Sequence, residues 1–401
     1  MRVLVITQYY WPEQFRVNDI CEELHKRGHS VTVMTGRPNY PGGKLFEGYT
    51  LFNKRKECIN GVNIIRVFEI PRKKNTLFLV LNYLSFLLSS VFKSFVLKRR
   101  YDLIYVYQLS PVYSIFAGWI SSLRNKAPLY VYICDVWPDS LKNIIKNENN
   151  IIYRINYFLS GYLYRKADGI GVTSPAFINY LTTTHKVNKS IINYVPQHAE
   201  DELLIIDKPI DNGIIDFMFM GNIGLIQDID IIINAVEMIK NVDGFVVHFV
   251  GDGTFYQKAI ELTKEKQLLN KIVFHGHHNF SNLKYYYNIA DICILTLNSQ
   301  SIVGDTIPSK LQGYMAAGRP VVAAINGASA DVINESKCGF VAKAGDFRGL
   351  SELFIKMINS DSLKEYGQNG RDYFVKNYTL NHHVNSLLFY LDKLILEDKN
   401  V

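Results

Sequence analysis

Short apolar runs rich in β-branched and aromatic residues alternate with helix-length amphipathic segments along nearly the whole chain, in two successive series. No other feature constrains the fold as much, because parallel strands joined by helical crossovers are covered on both faces and read as unbroken apolar runs. The first series opens with Val3-Leu4-Val5-Ile6-Thr7. A helix follows in which Val17, Ile20, Cys21 and Leu24 recur at helical spacing until Gly28 stops it, and Val31-Thr32-Val33-Met34 is the next strand. Runs at 103–107, 129–133 and 169–172 continue the series. The second series starts at 215–220 and passes through 246–250, 272–274, 292–295 and 321–324. The expected class is α/β, with two doubly wound halves.

A chain of 401 residues suits that division, since domains run to roughly 100–200 residues. Pro196, Pro209 and Gly213 interrupt the pattern between the series, so the expected domains are 1–200 and 201–380, with a last helical stretch at 381–398 lying beyond the second sheet pattern. Five scattered cysteines offer no C-x-x-C spacing for zinc or redox work and are read as free thiols. The start runs directly into an apolar strand without a charged leader, so a cytoplasmic protein is expected. Residues 1–200 carry 26 Lys and Arg against 13 Asp and Glu, while 201–401 carry 18 against 24, so +13 and −6 make up the net +7. A basic half points to an anionic partner, be it nucleic acid, anionic lipid or a phosphate-bearing substrate, or to a solvated basic surface with none.

Residues 75–97 hold one charge, Lys93, between Arg72-Lys73-Lys74 and Lys98-Arg99-Arg100. The length admits a bilayer span. Asn82, Ser85, Ser89 and Lys93 form a narrow polar stripe, which fits better a helix lying in the membrane interface with 72–100 meeting anionic head groups. A helix packed within the first domain is the other reading.

Two motifs carry chemistry. After the strand at 215–220, Gly221-Asn222-Ile223-Gly224 leads toward a helix with Ile229, Ile232, Ile233 and Val236 on one face. Glycines at such a turn allow close backbone approach, and a helix N-terminus offers N–H groups and positive dipole to a diphosphate; a simple tight turn is the alternative. Neither series contains a full G-x-G-x-x-G, which disfavours a nicotinamide dinucleotide fold. The second motif is Thr306-Ile307-Pro308-Ser309-Lys310-Leu311-Gln312-Gly313, closed by Gly318-Arg319-Pro320. Pro308 and Ser309 suit a first helical turn and place Lys310 where a cation neutralises a departing diphosphate, or leave it a surface lysine. Asp228-Ile229-Asp230 spells D-x-D, but in a first helical turn it complements the dipole, so no catalytic metal and no other cofactor is expected. His277 and His278 are adjacent, point apart and form no metal pair.

With Gln8-Tyr9-Tyr10-Trp11-Pro12-Glu13, Arg37-Pro38-Asn39-Tyr40-Pro41-Gly42-Gly43, Tyr107-Gln108-Leu109-Ser110-Pro111, Asp135-Val136-Trp137-Pro138 and Ala317-Gly318-Arg319-Pro320, these motifs span nearly the whole chain in one order. In them the sequence resembles the family-four retaining glycosyltransferases, and among these the WbuB-like branch of O-antigen and capsule assembly. The resemblance implies a GT-B fold, two Rossmann-like doubly wound domains facing across a cleft, with the helix at 381–398 packing back on the first. It implies that the second domain binds a nucleotide sugar through Gly221, Asn222, Gly224, Gln227, His275, His277, Asp305, Pro308, Ser309, Lys310 and Gln312. The family's second donor-site glutamate aligns with Gly313, leaving ribose contact to Gln312, Asp305 or elsewhere, and its usual cation after the glycine loop is replaced by Gln227-Asp228. Arg16, Asn39, Tyr40, Tyr107 and Gln108 are expected in loops lining the acceptor side. Asp135 stands where the family often has a histidine beside an acid; it either stabilises developing charge or orients the acceptor, or else caps its loop.

The implied reaction moves an N-acetylated deoxyhexose, with UDP-N-acetyl-L-fucosamine the best single guess, onto an undecaprenyl-diphosphate-linked sugar. It would take place on the inner face of the plasma membrane, with no nucleic acid as partner. A UDP-sugar 2-epimerase of the same fold and a non-catalytic nucleotide-sugar-binding assembly protein are the alternatives.

Overall fold

Strand β1 (Arg2–Ile6) and helix α1 (Arg16–Lys26) open the chain in a computed structural model that describes residues 1–50, 53–73, 75–98, 100–143, 145, 147–206, 212–298 and 306–398. There follow β2 (Ser30–Thr35), β3 (Lys56–Ile59), β4 (Val62–Arg66), α2 (Thr76–Val96), β5 (Leu103–Gln108) and α3 (Ser114–Asn125). Next come β6 (Leu129–Ile133), α4 (Ile151–Tyr164), β7 (Gly169–Val172), α5 (Pro175–Thr184) and β8 (Ile192–Tyr194). These strands form one sheet in the order β3-β4-β2-β1-β5-β6-β7-β8, parallel except for the β3–β4 hairpin. Every residue of β5 and β6 is buried, and Tyr105, Tyr107, Tyr130 and Tyr132 pack ring against ring there.

The second series is β9 (Ile215–Met220), α6 (Ile229–Met238), β10 (Phe245–Val250), α7 (Tyr256–Glu265), β11 (Ile272–Gly276), α8 (Phe280–Ile289) and β12 (Ile292–Thr296). It ends with α9 (Ser309–Ala316), β13 (Val321–Ala324), α10 (Gly327–Ser336), β14 (Gly339–Ala342), α11 (Phe347–Ile358), α12 (Leu363–Asn377) and α13 (Leu380–Asp398). Six parallel strands lie in the order β11-β10-β9-β12-β13-β14. Alternate side chains separate two cores: Met218, Met220, Cys293 and Leu295 on one face, Phe217, Phe219, Phe249 and Ile294 on the other.

The chain divides into one unit of Met1–Pro196 with His383–Val401 and a second of Gln197–His382. Val384, Leu387 and Leu391 of α13 are buried, and His383 Nδ1 lies 2.8 Å from Pro196 O within the first unit. In both sheets the winding reverses at the first strand, β1 between β2 and β5, β9 between β10 and β12. Open α/β sheets bind ligands beyond the strands' carboxyl ends at such a switch.

Helix α2 is turned with its polar stripe inward. Asn75 caps it by accepting from Leu77 N at 2.8 Å, Asn82 is fully buried, and Ser89 Oγ donates to Phe68 O (2.6 Å). Ser94 Oγ donates to Ala117 O (3.1 Å) and accepts from Ser121 Oγ (3.0 Å), pinning α2 to α3. The apolar side faces out: Leu77, Val80, Leu84, Leu88, Phe92 and Phe95 are exposed, Leu88 by 70% and Phe92 by 67%. It is the described helix long and apolar enough to cross a membrane.

Candidate functional site

At the β9 switch, residues 221–224 are stitched to the neighbouring loop. Gly221 N donates to Val250 O (2.8 Å), Ile223 N to Asp252 O (2.9 Å), and Gly251 N in turn to Gly276 O (2.8 Å). The ends of β9, β10 and β11 thus become one ledge, and among the described residues the N–H groups of Asn222 and Gly224 have no main-chain partner. Asn222 Nδ2 donates to Gln227 Oε1 (2.9 Å), closing the turn, while Thr296 Oγ1 at the end of β12 donates to Gln227 O (2.5 Å). Gly221 has φ +128°, and a Cβ on it would stand 2.5 Å from Cε of Lys310, so a side chain here would be strained and would displace the end of the lysine where it crosses the ledge.

Lys310 occupies the first turn of α9, and Pro308 lies one residue outside it. Its Nζ is buried and, among the described residues, without a hydrogen-bond partner, 4.0 Å above the centre of the Phe219 ring. Burial pushes the ammonium pKa down to about 7. Tyr314, also on α9, fixes the helix to the sheet by accepting from Met220 N (3.1 Å). A buried ammonium therefore stands beside a glycine ledge at a switch point, an arrangement that receives anions.

Other expected donor residues are arranged differently. A 3₁₀ turn, 225–227, separates the ledge from α6, and Asp228 sits left-handed (φ 53°) before it without capping. Burial, then Asp230, raises the Asp228 carboxyl pKa to about 6. Gln312 is buried and its amide donates to Gln197 O at 2.6 Å, tying α9 to the segment entering the unit. At Gly313 a Cβ would lie 2.8 Å from the Tyr287 hydroxyl, so that tyrosine fills the space a carboxylate side chain there would need. His275 turns inward: its Nε2 lies 2.9 Å from His248 Nδ1, and His248 Nε2 lies 2.8 Å from Asp216 Oδ1. His277 is exposed beyond β11, Ser309 is exposed at the start of α9, and Asp305 lies outside the described residues.

In the first unit the strand ends gather a buried polar network that motif reading had not singled out. Glu69 Oε1 accepts from Gln8 Nε2 (2.8 Å) and Asn82 Nδ2 (2.5 Å), while its Oε2 is buried and unpartnered. Glu13 Oε1 accepts from the main-chain N–H of Asn39 (2.7 Å) and Tyr40 (2.6 Å). Burial raises the Glu69 pKa to about 8 and that of Glu13 to about 7. The signal was available: Glu69 is a lone acid in the otherwise apolar run Val67-Phe68-Glu69-Ile70.

Asn39 is buried and spent on Arg37 O and Arg72 N, whereas Tyr40, a third exposed, packs with Tyr9 and Phe15 under Arg72. Tyr107 and Gln108 are not loop residues: both end β5, and Tyr107 is sealed against Tyr132 because both faces of that strand are covered. Gln108 Nε2 donates to Asp135 O (3.1 Å), but its Oε1 is buried without a partner. Asp135 is half-buried and accepts a hydrogen bond from Ser110 Oγ; Arg16, also half-buried, opens α1.

Comparison with known proteins bears on the family and the fold. Residues 14–197 match the family described as Glycosyl transferase 4-like domain, and 202–373 match Glycosyl transferases group 1. The probable glycosyltransferase WbjE of Pseudomonas aeruginosa is 25% identical over 61% of this chain, a match spanning 63% of that relative and so less than two thirds of its length. The putative colanic acid biosynthesis glycosyl transferase WcaI of Escherichia coli is 22% identical over 79% of this chain and 82% of its own. Among solved structures, sucrose-phosphate synthase from Thermosynechococcus elongatus superposes with a TM-score of 0.75 at 16% identity, covering 99% of both chains. Anabaena HepE in complex with UDP gives 0.72 at 14%, covering 98% of this chain and 100% of its own. At such identities the structural likeness speaks for the fold.

Proposed function

Since the chain belongs to the GT-B glycosyltransferases, joining a glycosyl transferase 4-like domain to a group 1 domain, we propose that it transfers a sugar from a UDP-sugar bound by the second unit to a lipid-diphosphate-linked sugar presented by the first. The observation that carries the reading is Lys310, whose buried, unpartnered Nζ crosses the glycine ledge at the β9 switch. As the bond from the anomeric carbon to the diphosphate oxygen breaks, negative charge grows on the leaving group, and an ammonium already in place stabilises it without rearrangement. HepE was solved with UDP, which supports UDP as the leaving nucleotide here.

Retention at the anomeric carbon follows from the family-four resemblance, as does UDP-N-acetyl-L-fucosamine as the first donor to assay. The name of WcaI, a putative colanic acid biosynthesis glycosyl transferase, favours polysaccharide synthesis, while O-antigen or capsule assembly and an undecaprenyl-diphosphate acceptor are drawn from the family-four resemblance. The outward apolar face of α2 supports a peripheral place on the inner side of the plasma membrane. Because Lys310 supplies the charge that a bound divalent cation would, turnover is expected to resist chelators.

The test is transfer of labelled sugar from a panel of nucleotide sugars to a synthetic lipid-diphosphate sugar. Lys310→Ala should lower turnover by about 10²–10³-fold, the worth of one well-placed electrostatic donor. An unchanged rate removes Lys310 from the mechanism. Product formation without any lipid acceptor sinks the transferase reading.

A further inference from the structure

Within the first unit, Lys56, Lys93, Lys98 and Arg100 line a cavity of about 440 Å³ together with Glu57, Asn63 and Thr32. Lys93 is the only charge on α2, placed one turn before the helix ends. Arg66 holds the Glu57 carboxylate at 2.5 Å, so the one acid of the lining is already neutralised. Among the described residues none of the four cations has a carboxylate within ion-pairing distance. Burial, and after it the like charges of Lys56 and Arg55, lowers the Lys93 pKa.

The position of the cavity separates it from the polar network around Glu69. Helix α2 runs from the carboxyl end of β4 back to the amino end of β5, so its last turn lies at the opposite edge of the sheet from Gln8 and Asn82. Phe92, Phe95 and Val96 are exposed on that last stretch of α2. Helix α3 packs beside α2 and α4 beside α3, and both add exposed apolar groups: Leu123, then Ile151, Ile155 and Phe158. The cationic cavity thus adjoins the exposed apolar residues of the last turns of α2.

We propose that this cavity is a binding site for the phosphate of an anionic membrane lipid, whose acyl chains lie along the exposed apolar side of α2. A phosphate between Lys93 and Lys56 accepts charge-assisted hydrogen bonds, and the adjoining apolar side chains suit a lipid where they would gain nothing from a free anion. The inference rests on the membrane reading above, and it specifies where that membrane is gripped.

Flotation with phosphatidylcholine vesicles, with and without phosphatidylglycerol, tests it on the full chain. Arg154→Gln removes an exposed cation of α4 outside the cavity and should weaken binding to phosphatidylglycerol vesicles by about fivefold or less, the effect of one diffuse surface charge. Lys93→Gln and Lys56→Gln should each weaken it by about 20-fold or more, with binding to pure phosphatidylcholine unchanged. Both variants relieve repulsion, so their melting temperatures should not fall. Equal losses for all three variants mean diffuse attraction only and overturn the site while leaving membrane binding intact. If the wild-type chain floats with neither vesicle, the membrane reading fails, and with it the lipid as ligand. Inorganic phosphate watched by phosphorus NMR then identifies the source: line broadening by the wild-type chain that Lys93→Gln abolishes marks a soluble phosphate ligand, which also overturns the lipid assignment.

Discussion

A lysine and a glutamate, each buried and, among the described residues, outside any ion pair, give each unit a pH dependence. The Lys310 ammonium is depressed to about 7, so the empty site is charged below that pH and increasingly neutral above it. A diphosphate favours the charged form, so UDP binding at about pH 8 should take up a proton, and affinity should fall as pH rises past 7. Calorimetry in two buffers of different ionisation heat reads the proton directly; Lys310→Met should bind more weakly and show no uptake. Glu69 runs the other way, its pKa raised by burial to about 8 from an ordinary 4.5. Between those values the folded chain keeps a proton the unfolded chain has released, so this contribution is complete at low pH and is lost as pH rises through 8. Glu69→Gln keeps the shape without the charge. It should melt higher than the wild type near pH 9 and no higher near pH 5, whereas a uniform shift at both pH values would argue against a neutral Glu69 in the folded state.

At the scale of the element, α2 inverts the usual arrangement, polar groups inside and apolar groups outside, and the two faces should answer differently to substitution. Leu88→Glu or Phe92→Glu should leave the melting temperature within a degree or so yet cut partitioning into vesicles by about tenfold or more, since each apolar side chain is worth roughly 1.5–3 kcal/mol when withdrawn from water. Asn82→Leu should do the reverse: it strips partners from Gln8 and Glu69 and costs about 1–3 kcal/mol of stability. The stripe of Asn82, Ser85, Ser89 and Lys93 was visible in the sequence, but not which way it faced, because that depends on carbonyls of the 68–70 segment and of α3. The same limit explains the strands. Runs such as 129–133 and 321–324 were legible since both faces are covered, whereas β3, half exposed in an edge hairpin, reads as Lys-Glu-Cys-Ile and carries no apolar signal. In the site, glycine spacing pointed to the 221–224 turn, yet Tyr287 over Gly313 and the amide of Gln312 spent on Gln197 are consequences of packing between α8, α9 and the 197 segment, which no local pattern encodes.

For the whole molecule, each unit has its own sheet and its own core, and the chain passes between them at 196–197 and again at 382–383. Such units can melt separately, and a ligand that binds one of them stabilises that one by mass action. The basic first 200 residues and the acidic remainder repel different ions, but a nucleoside diphosphate seated by Lys310 concerns only the second unit. UDP at a hundred times its Kd adds about 2.7 kcal/mol to the state that binds it, which for a unit of this size raises its melting transition by roughly 5–10 °C. Calorimetric scans should therefore show one transition moving up with UDP while the other stays in place, and Lys310→Ala should shrink that movement. Movement of a transition assigned to the first unit, identified by its response to Glu69→Gln, would put the nucleotide on the wrong sheet and undo the division of labour proposed for the two units.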